Sequence, residues 1–585
     1  AVGAVALAGV LAWGLAVPDG IGATATFLGF QLRVVVVDDV SRLLVIAFGG
    51  FGTAAVAYAY AAGADRRLLA VALGYVAAAV WTVSVGDWLA LVLGWEAMAA
   101  TSTVLVWLHG GDAVRAGYRY ALVHALGGGL LLAGVAAQAA SAGAIDVSGA
   151  GVAAGAFGGA TGGIPANALH FDGTGVDAGL PAILVGLGVA VNAAVIGLHG
   201  WLPDTYPRPH VAASVFLCVF TTKSAVYAAY RAFPEGNLAL AYVGGAMAVY
   251  GAGYALAQKD VRRLLSYHIQ AQVGYMLAGI GVGSALGVAG GFAHLFNNVL
   301  YKGLLFMIAG IVIHRTGRNR LDRFGALGTS APVALAAFLV AALSIAAFPG
   351  SNGFVSKGMV IGAVHAVDVL PVAGGEDLLW WLLILGGVGT YASFLKFGYY
   401  AFLDGEPERI RDASAGHAAV TLAIAGACVY FGVRYEALFA LLPASDAWTA
   451  HPYTAGHLLE SVAIAVAGVV AFLLGKPLLE RLHGGVDVDH LHDPAVFYGT
   501  RAASGAAALV AGRLGGGAAR VGWGSAAAVR NPQRTLRRLL PERLHDWYGT
   551  RVERTVGETG LKLGIDPSIY VAMIVLALAI AIALQ

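Results

Sequence analysis

Charge is what this sequence has least of. Only 12% of its 585 residues are Asp, Glu, Lys or Arg, about half the share of a soluble domain. The net charge of +2 leaves no acidic or basic field of the kind that meets nucleic acid. Cysteine is nearly absent. The two that occur, Cys218 and Cys428, sit inside apolar runs and supply no disulfide framework, cluster cage or metal spacing. The ten-residue alternation of a membrane β-barrel is missing. The glycine-rich "GAGVAAG" at 149–155 is no phosphate cradle, because no strand precedes it and no Lys-Ser/Thr follows.

What is present is apolar length. Hydrophobic residues make up 59% of the chain and the mean hydropathy is +0.76. A span needs about 20 mostly apolar residues. About 15 or 16 candidates lie near 1–17, 39–62, 66–84, 86–108, 118–141, 178–201, 210–232, 237–257, 265–283, 290–313, 328–349, 351–371, 378–402, 417–434, 456–476 and 568–584. The sequence therefore predicts an all-α polytopic membrane protein. It opens on Ala1 rather than Met, so the first run reads either as a span or as a targeting segment.

Basic residues gather in short loops: Arg66 and Arg67; Arg115 and Arg119; Lys259, Arg262 and Arg263; Arg315, Arg318, Arg320 and Arg323. These are expected on the cytoplasmic side. The loop 142–177 has Asp146, Asp172 and Asp177 but no Lys or Arg, and is expected outside. Loops 314–327 and 403–412 both read as cytoplasmic, yet three runs lie between them. One of the three is therefore interrupted, and "FPGSNGF" at 348–354 marks the place. A second interruption is expected in "GLGVAVNAAVIGLHGWLPDTYPRPH" at 186–210, around His199 and three prolines. The arginine-spaced stretch 477–566 reads as interfacial amphipathic helix over 495–550, ahead of the last span at 568–584. "HGGVDVDHLHD" at 483–493 suits a solvated loop better than a metal site.

Lysine is scarcer than arginine, and four lysines, Lys223, Lys302, Lys357 and Lys396, fall inside apolar runs. Lysine can exchange its proton when buried, whereas arginine in practice cannot. Lys396 lies near a run's end and is expected to snorkel towards the headgroups. Lys223, Lys302 and Lys357 are too deep for that. His294, Asn298 and Lys302 are spaced i, i+4, i+8 and share one helix face. His268, Gln272 and Tyr275 make a second such stripe. Glu96 is the carboxylate well inside its run, with a membrane lysine as its expected partner.

"HGWLPDTYP", "FTTKSAVYAAYR", "KDVRRLLSYHIQAQVGYM", "HLFNNVLYKGLLFM" and "FPGSNGFVSKGM" occur in that order. Over roughly 85–435 the chain resembles the antiporter-like proteins, which comprise the large subunits of Mrp-type Na⁺/H⁺ antiporters and the proton-pumping subunits of respiratory complex I. The resemblance is greatest to the D-type branch of the Mrp antiporter subunits. It implies about fourteen helices, built as two inverted five-helix repeats that each hold one broken helix. The expected organisation is N-terminal helices 1–84, repeats at 85–257 and 258–435, and C-terminal helices 436–585.

The resemblance also implies roles. Glu96 matches the family's acidic residue of the first repeat, and Lys223 the lysine after the "HxWLPD" break. His294 and Lys302 match the central His and Lys of the second repeat, and Lys357 the ionisable group after the second break. Two positions depart from the pattern: Asn192 stands where the family has a lysine, and Asn298 where it has a second histidine. Asparagine binds water or an ion but carries no proton. The implied function is transport of H⁺ against Na⁺ by one subunit of a multisubunit plasma-membrane complex, along Lys223, His268, His294, Lys302 and Lys357. It needs no cofactor and no enzyme chemistry of its own. The alternatives are a membrane-arm subunit of a complex I-like or hydrogenase redox enzyme, and a scaffold whose transport chemistry has decayed.

Overall fold

The computed structural model describes residues 2–27, 30–141, 169–171 and 173–481, which belong to one compact unit. The sequence expectations for 142–168, 483–493, 495–550 and 568–584 fall outside the described residues. Among the described residues, ten helices are long and apolar enough to cross a membrane, and three shorter apolar helices accompany them. The chain is a multi-pass helical membrane protein.

Helix α1 (Val2–Ala16) leads into a hairpin, β1 (Gly20–Phe27) and β2 (Phe30–Val37), paired from Gly20↔Val37 to Phe27↔Phe30. The sequence reading assigns this stretch no structure; its β-branched runs pair once the chain leaves the apolar helices. Then follow α2 (Asp39–Ala61), α3 (Arg66–Val83), α4 (Trp88–Trp107), α5 (Asp112–Ser141), α6 (Leu180–Asn192), α7 (Trp201–Thr205), α8 (Val211–Leu217) and α9 (Phe220–Ala232). The second half holds α10 (Leu238–Ala257), α11 (Val261–Val282), α12 (Ala285–Thr316), α13 (Pro332–Ala346), α14 (Asn352–Val364) and α15 (Leu378–Gly398). A small hairpin, β3 (Pro371–Ala373) and β4 (Glu376–Asp377), precedes α15, and α16 (Ala415–Val433), α17 (Tyr435–Phe439) and α18 (Ala455–Arg481) complete the order.

Polar side chains start the spans. Asp38, Asp65, Asp87, Asn237, Asp260, Ser284, Asp377 and Ser414 each accept a backbone N–H from the first turn of the helix that follows, satisfying donors that hydrocarbon cannot. Helices α10 and α11 pack closely: a Cβ on Gly244 would press on the Gly274 carbonyl, and one on Gly274 on the Gly244 carbonyl.

Helices α3, α4 and α5 have 18, 20 and 30 residues and lead into the interrupted α6. Helices α10, α11 and α12 have 20, 22 and 32 residues and lead into the interrupted α13–α14 pair. Both interruptions carry an alanine with positive φ, Ala194 at 56° and Ala347 at 65°, a backbone turn that costs a residue with a Cβ about 1–2 kcal/mol. The runs at 328–349 and 351–371 are thus two halves of one interrupted helix. The loops on either side of them meet: Arg318 Nη1 lies 2.6 Å from Glu408 Oε2, and Ala326 N–H donates to the Glu406 carbonyl at 3.2 Å. The basic loops cluster in the same way, with Lys259 Nζ 3.7 Å from Asp322 Oδ2 and Asn319 Nδ2 2.5 Å from Asp260 Oδ2. At the other end Arg231 Nη2 pairs with Asp38 Oδ2 at 2.5 Å.

Candidate functional site

Three lysines lie fully inside the bundle, and each ammonium meets a main-chain carbonyl. Cys218 and Val219 interrupt the span between α8 and α9, and Lys223 Nζ donates back to the Cys218 carbonyl at 3.1 Å, with Thr222 Oγ1 at 3.3 Å. Lys302 on α12 donates to the Leu265 carbonyl of α11 at 3.0 Å. Lys357 on α14 donates to the Ile345 carbonyl of α13 at 3.0 Å, beside the break, and its Nζ lies 4.4 Å from the centre of the Tyr275 ring. Their exposures are 0%, 0% and 3%. For Lys223 and Lys357 the negative end of a half-helix supplies the partner that lipid lacks, whereas Leu265 lies near the start of the unbroken α11.

The two polar stripes meet. His294 Nδ1 lies 3.1 Å from Ser356 Oγ, and its Nε2 lies 3.1 Å from Gln272 Oε1 and 3.2 Å from the Tyr301 hydroxyl. Tyr301 also receives Asn298 Nδ2 at 3.3 Å. Ser356 precedes Lys357, so the imidazole touches the neighbour of the third lysine. His268 packs on Phe394 with ring centres 4.8 Å apart, and Lys302 Nζ reaches the same ring at 6.0 Å.

The first break is held from α11 and from its own far side. Gln270 Nε2 donates to the Ala194 carbonyl at 3.0 Å, and Trp201 Nε1 to the Val191 carbonyl at 3.0 Å. His199 lies in this break, 3.3 Å from the Tyr250 hydroxyl. Asn192 ends α6 at 0% exposure. Among the described residues, no protein group hydrogen-bonds the Asn192 amide, the His268 ring nitrogens or Asn298 Oδ1.

Two expectations are corrected. Glu96 lies on the exposed side of α4, with its carboxylate against α5 where a Cβ on Gly128 would collide with it. No ion pair joins it to a lysine among the described residues. Helix α4 is apolar on every side, so the sequence carries no sign of which face turns inward. Lys396 does not run out to the headgroups: its Nζ donates to the Leu256 and Gln258 carbonyls at 2.6 and 2.7 Å, closing the C-terminal end of α10. The sequence reading also passes over Ser356, Tyr301, Gln270 and His124. The last is fully buried and stacks on Tyr120 at 3.9 Å. The i, i+3 spacing of Asn298 and Tyr301 carries a signal; the carbonyl partners carry none.

Residues 85–374 match the family described as NADH:quinone oxidoreductase/Mrp antiporter, transmembrane. The chain belongs to that antiporter-like family. Among its relatives is NADH-quinone oxidoreductase subunit N of Desulforudis audaxviator, 32% identical over 240 residues, which are 39% of this chain and 46% of that protein. The D-type subunit of the Na(+)/H(+) antiporter of Alkalihalophilus pseudofirmus is 27% identical over 326 residues, 54% of this chain and 62% of the relative. Each alignment thus spans only part of the relative. A solved structure of the Mrp complex from Dietzia sp. DQ12-45-1b contains a chain of the same fold, with a TM-score of 0.72 at 23% identity, over 86% of this chain and 56% of that one. The relatives therefore include subunits of redox enzymes as well as of an antiporter.

Proposed function

We propose that the chain is the ion-translocating subunit of an Mrp-type, multisubunit Na⁺/H⁺ antiporter in the plasma membrane. Protons move along Lys223, Lys302 with His268, then His294 and Lys357. The observation that carries this reading is that all three deep lysines are held by carbonyls and, among the described residues, none by a carboxylate. A buried ammonium costs about 2.5–3.5 kcal/mol in a helix centre. A hydrogen bond to a charged group returns about 1.5–3 kcal/mol. The two nearly cancel, so each amine can hold or release its proton without breaking the fold. A carboxylate partner would hold the charge in place.

His294 suits a relay because its two ring nitrogens face opposite neighbours, so a proton can arrive at one and leave from the other. The polar atoms of His268, Asn192 and Asn298 that lack protein partners are of the kind that interior water satisfies. Moving one charge through 100 mV involves about 2.3 kcal/mol, so small changes in the setting of a lysine suffice for coupling to Na⁺. Asn192 and His199 line the first half-path, and of the two only the histidine can carry a proton. Glu96, its carboxylate against α5 at Gly128, is the acidic group of the first half, with no lysine in direct contact among the described residues. The recurrence of helix lengths supports repeats over 66–232 and 238–403, one helix earlier than the sequence-based 85–257 and 258–435.

The test is exchange in inverted vesicles holding the assembled complex. Lys223→Ala is expected to abolish cation-dependent proton movement, and wild-type exchange would refute the assignment. A second reading, the membrane arm of a redox enzyme, draws on the 32% identity to a quinone oxidoreductase subunit. Copurifying flavin or iron–sulfur chains would decide for it; small hydrophobic companions would favour the antiporter.

A further inference from the structure

The relay described above stops at Lys357, and the outermost charged groups near it lie on α18, a helix outside the two repeats. A cavity of about 20 Å³ touches Lys357, Tyr275, Tyr391, Ser461, His457 and Glu460. That is room for one water among polar partners. A second cavity of about 480 Å³ lies beyond it, lined by His365, Thr449, His451, His457 and Glu460 among others. Glu460, His457 and Ile361 line both, so they form the wall between the inner water site and the outer space, and the first two are its titratable members. The outer cavity lies at the end of the bundle opposite the basic loops, because α14 runs from the break to His365 and the β3–β4 hairpin.

The local structure is built for these two side chains. Ser461 Oγ donates to the Ala347 carbonyl at 2.8 Å, which ties α18 to the second break. Gly358 leaves the space that the His457 ring fills. The ring stacks on Phe354 at 4.0 Å with planes 8° apart. His457 Nδ1 lies 2.7 Å from the Pro452 carbonyl, an acceptor only, so Nδ1 carries the hydrogen and Nε2 is the proton-accepting atom. Beyond it, His365 Nδ1 lies 3.0 Å from Glu376 Oε2.

We propose that Glu460, assisted by His457, is the outer port of the proton axis, exchanging protons between Lys357 and the external water. This rests on the proton-relay reading of Lys357. In the outward step the Lys357 ammonium gives one proton through the intervening water to the Glu460 carboxylate, leaving a neutral amine and a neutral acid. The acid then loses the proton to water in the outer cavity, directly or by way of His457 Nε2, and returns to carboxylate. The inward step is the reverse.

The experiment compares Glu460→Gln, Glu460→Asp and Lys357→Ala in vesicles containing the intact complex, normalised to assembled protein. Glu460→Gln is expected to slow exchange about a hundredfold, the lower range for a positioned acid–base group, and Glu460→Asp to restore most of it. Wild-type exchange in Glu460→Gln with an inactive Lys357→Ala overturns the port and leaves the relay standing. Wild-type exchange in both overturns the relay itself. Access is read separately by placing a cysteine at Thr449, since Cys218 and Cys428 are fully buried. A membrane-impermeant thiol reagent added outside is expected to label Thr449→Cys and block exchange. No labelling, or labelling without block, overturns an open outer port.

Discussion

Lys223, Lys302 and Lys357 differ from Lys396 in what they cap. Lys396 closes the end of an intact helix with two carbonyls at 2.6 and 2.7 Å, whereas the other three each hold one carbonyl, two of them beside a helix interruption. One bond roughly balances the burial cost, and a single donor is enough to make it. Arginine would make it too, yet would keep its proton. Lys302→Arg is therefore expected to assemble normally and to lose cation-dependent proton exchange, measured in the same vesicles against Lys302→Ala; near-normal exchange would remove Lys302 from the proton path. The identity of these lysines is legible in the sequence, because a chain sparing of lysine places them in apolar runs. Their partners are not, because a main-chain carbonyl has no residue type. Glu96 is misplaced for a related reason: composition says that a carboxylate is inside a membrane run, and only packing says which way it points.

At the level of the helices, function gathers where regular structure stops. The second break is legible from "FPGSNGF" and from the parity of the loops, and the first from the prolines after His199. The third, at Cys218 and Val219, has no glycine or proline to announce it. The second break depends on close contact: a Cβ at Gly353 would collide with the Ser344 carbonyl at the end of α13, and one at Gly432 with the Gly350 carbonyl. Backbone cannot give way as a flexible side chain can. Gly353→Ala is expected to destabilise the protein by about 1–3 kcal/mol, the usual cost of overpacking, seen as a lower Tm in detergent. An unchanged Tm would mean that the break is looser than its geometry implies. The hairpin over 20–37 has β-branched residues to signal it, Thr24 and Thr26 on one strand and the run Val34 to Val37 on the other, but they follow no sustained period of two and merge with the apolar runs on either side.

For the whole molecule, the interrupted helix decides the sidedness of everything after it. Joined as one crossing, α13 and α14 carry the chain from the basic loop at 315–323 to the opposite side, and α15 brings it back to Glu406 and Glu408. The Arg318–Glu408 pair at 2.6 Å requires that return. Two separate crossings would instead put the 365–377 segment beside the basic loops and send Glu406 across the membrane, with the outer cavity on the cytoplasmic side. Single cysteines settle the matter, since the chain's own two thiols are buried. Val369 is 52% exposed and Glu406 is exposed as well. An impermeant thiol reagent should label Val369→Cys only in right-side-out vesicles and Glu406→Cys only in inverted ones. The reverse pattern would turn the second half of the bundle over, and with it the direction in which Lys357 could release a proton.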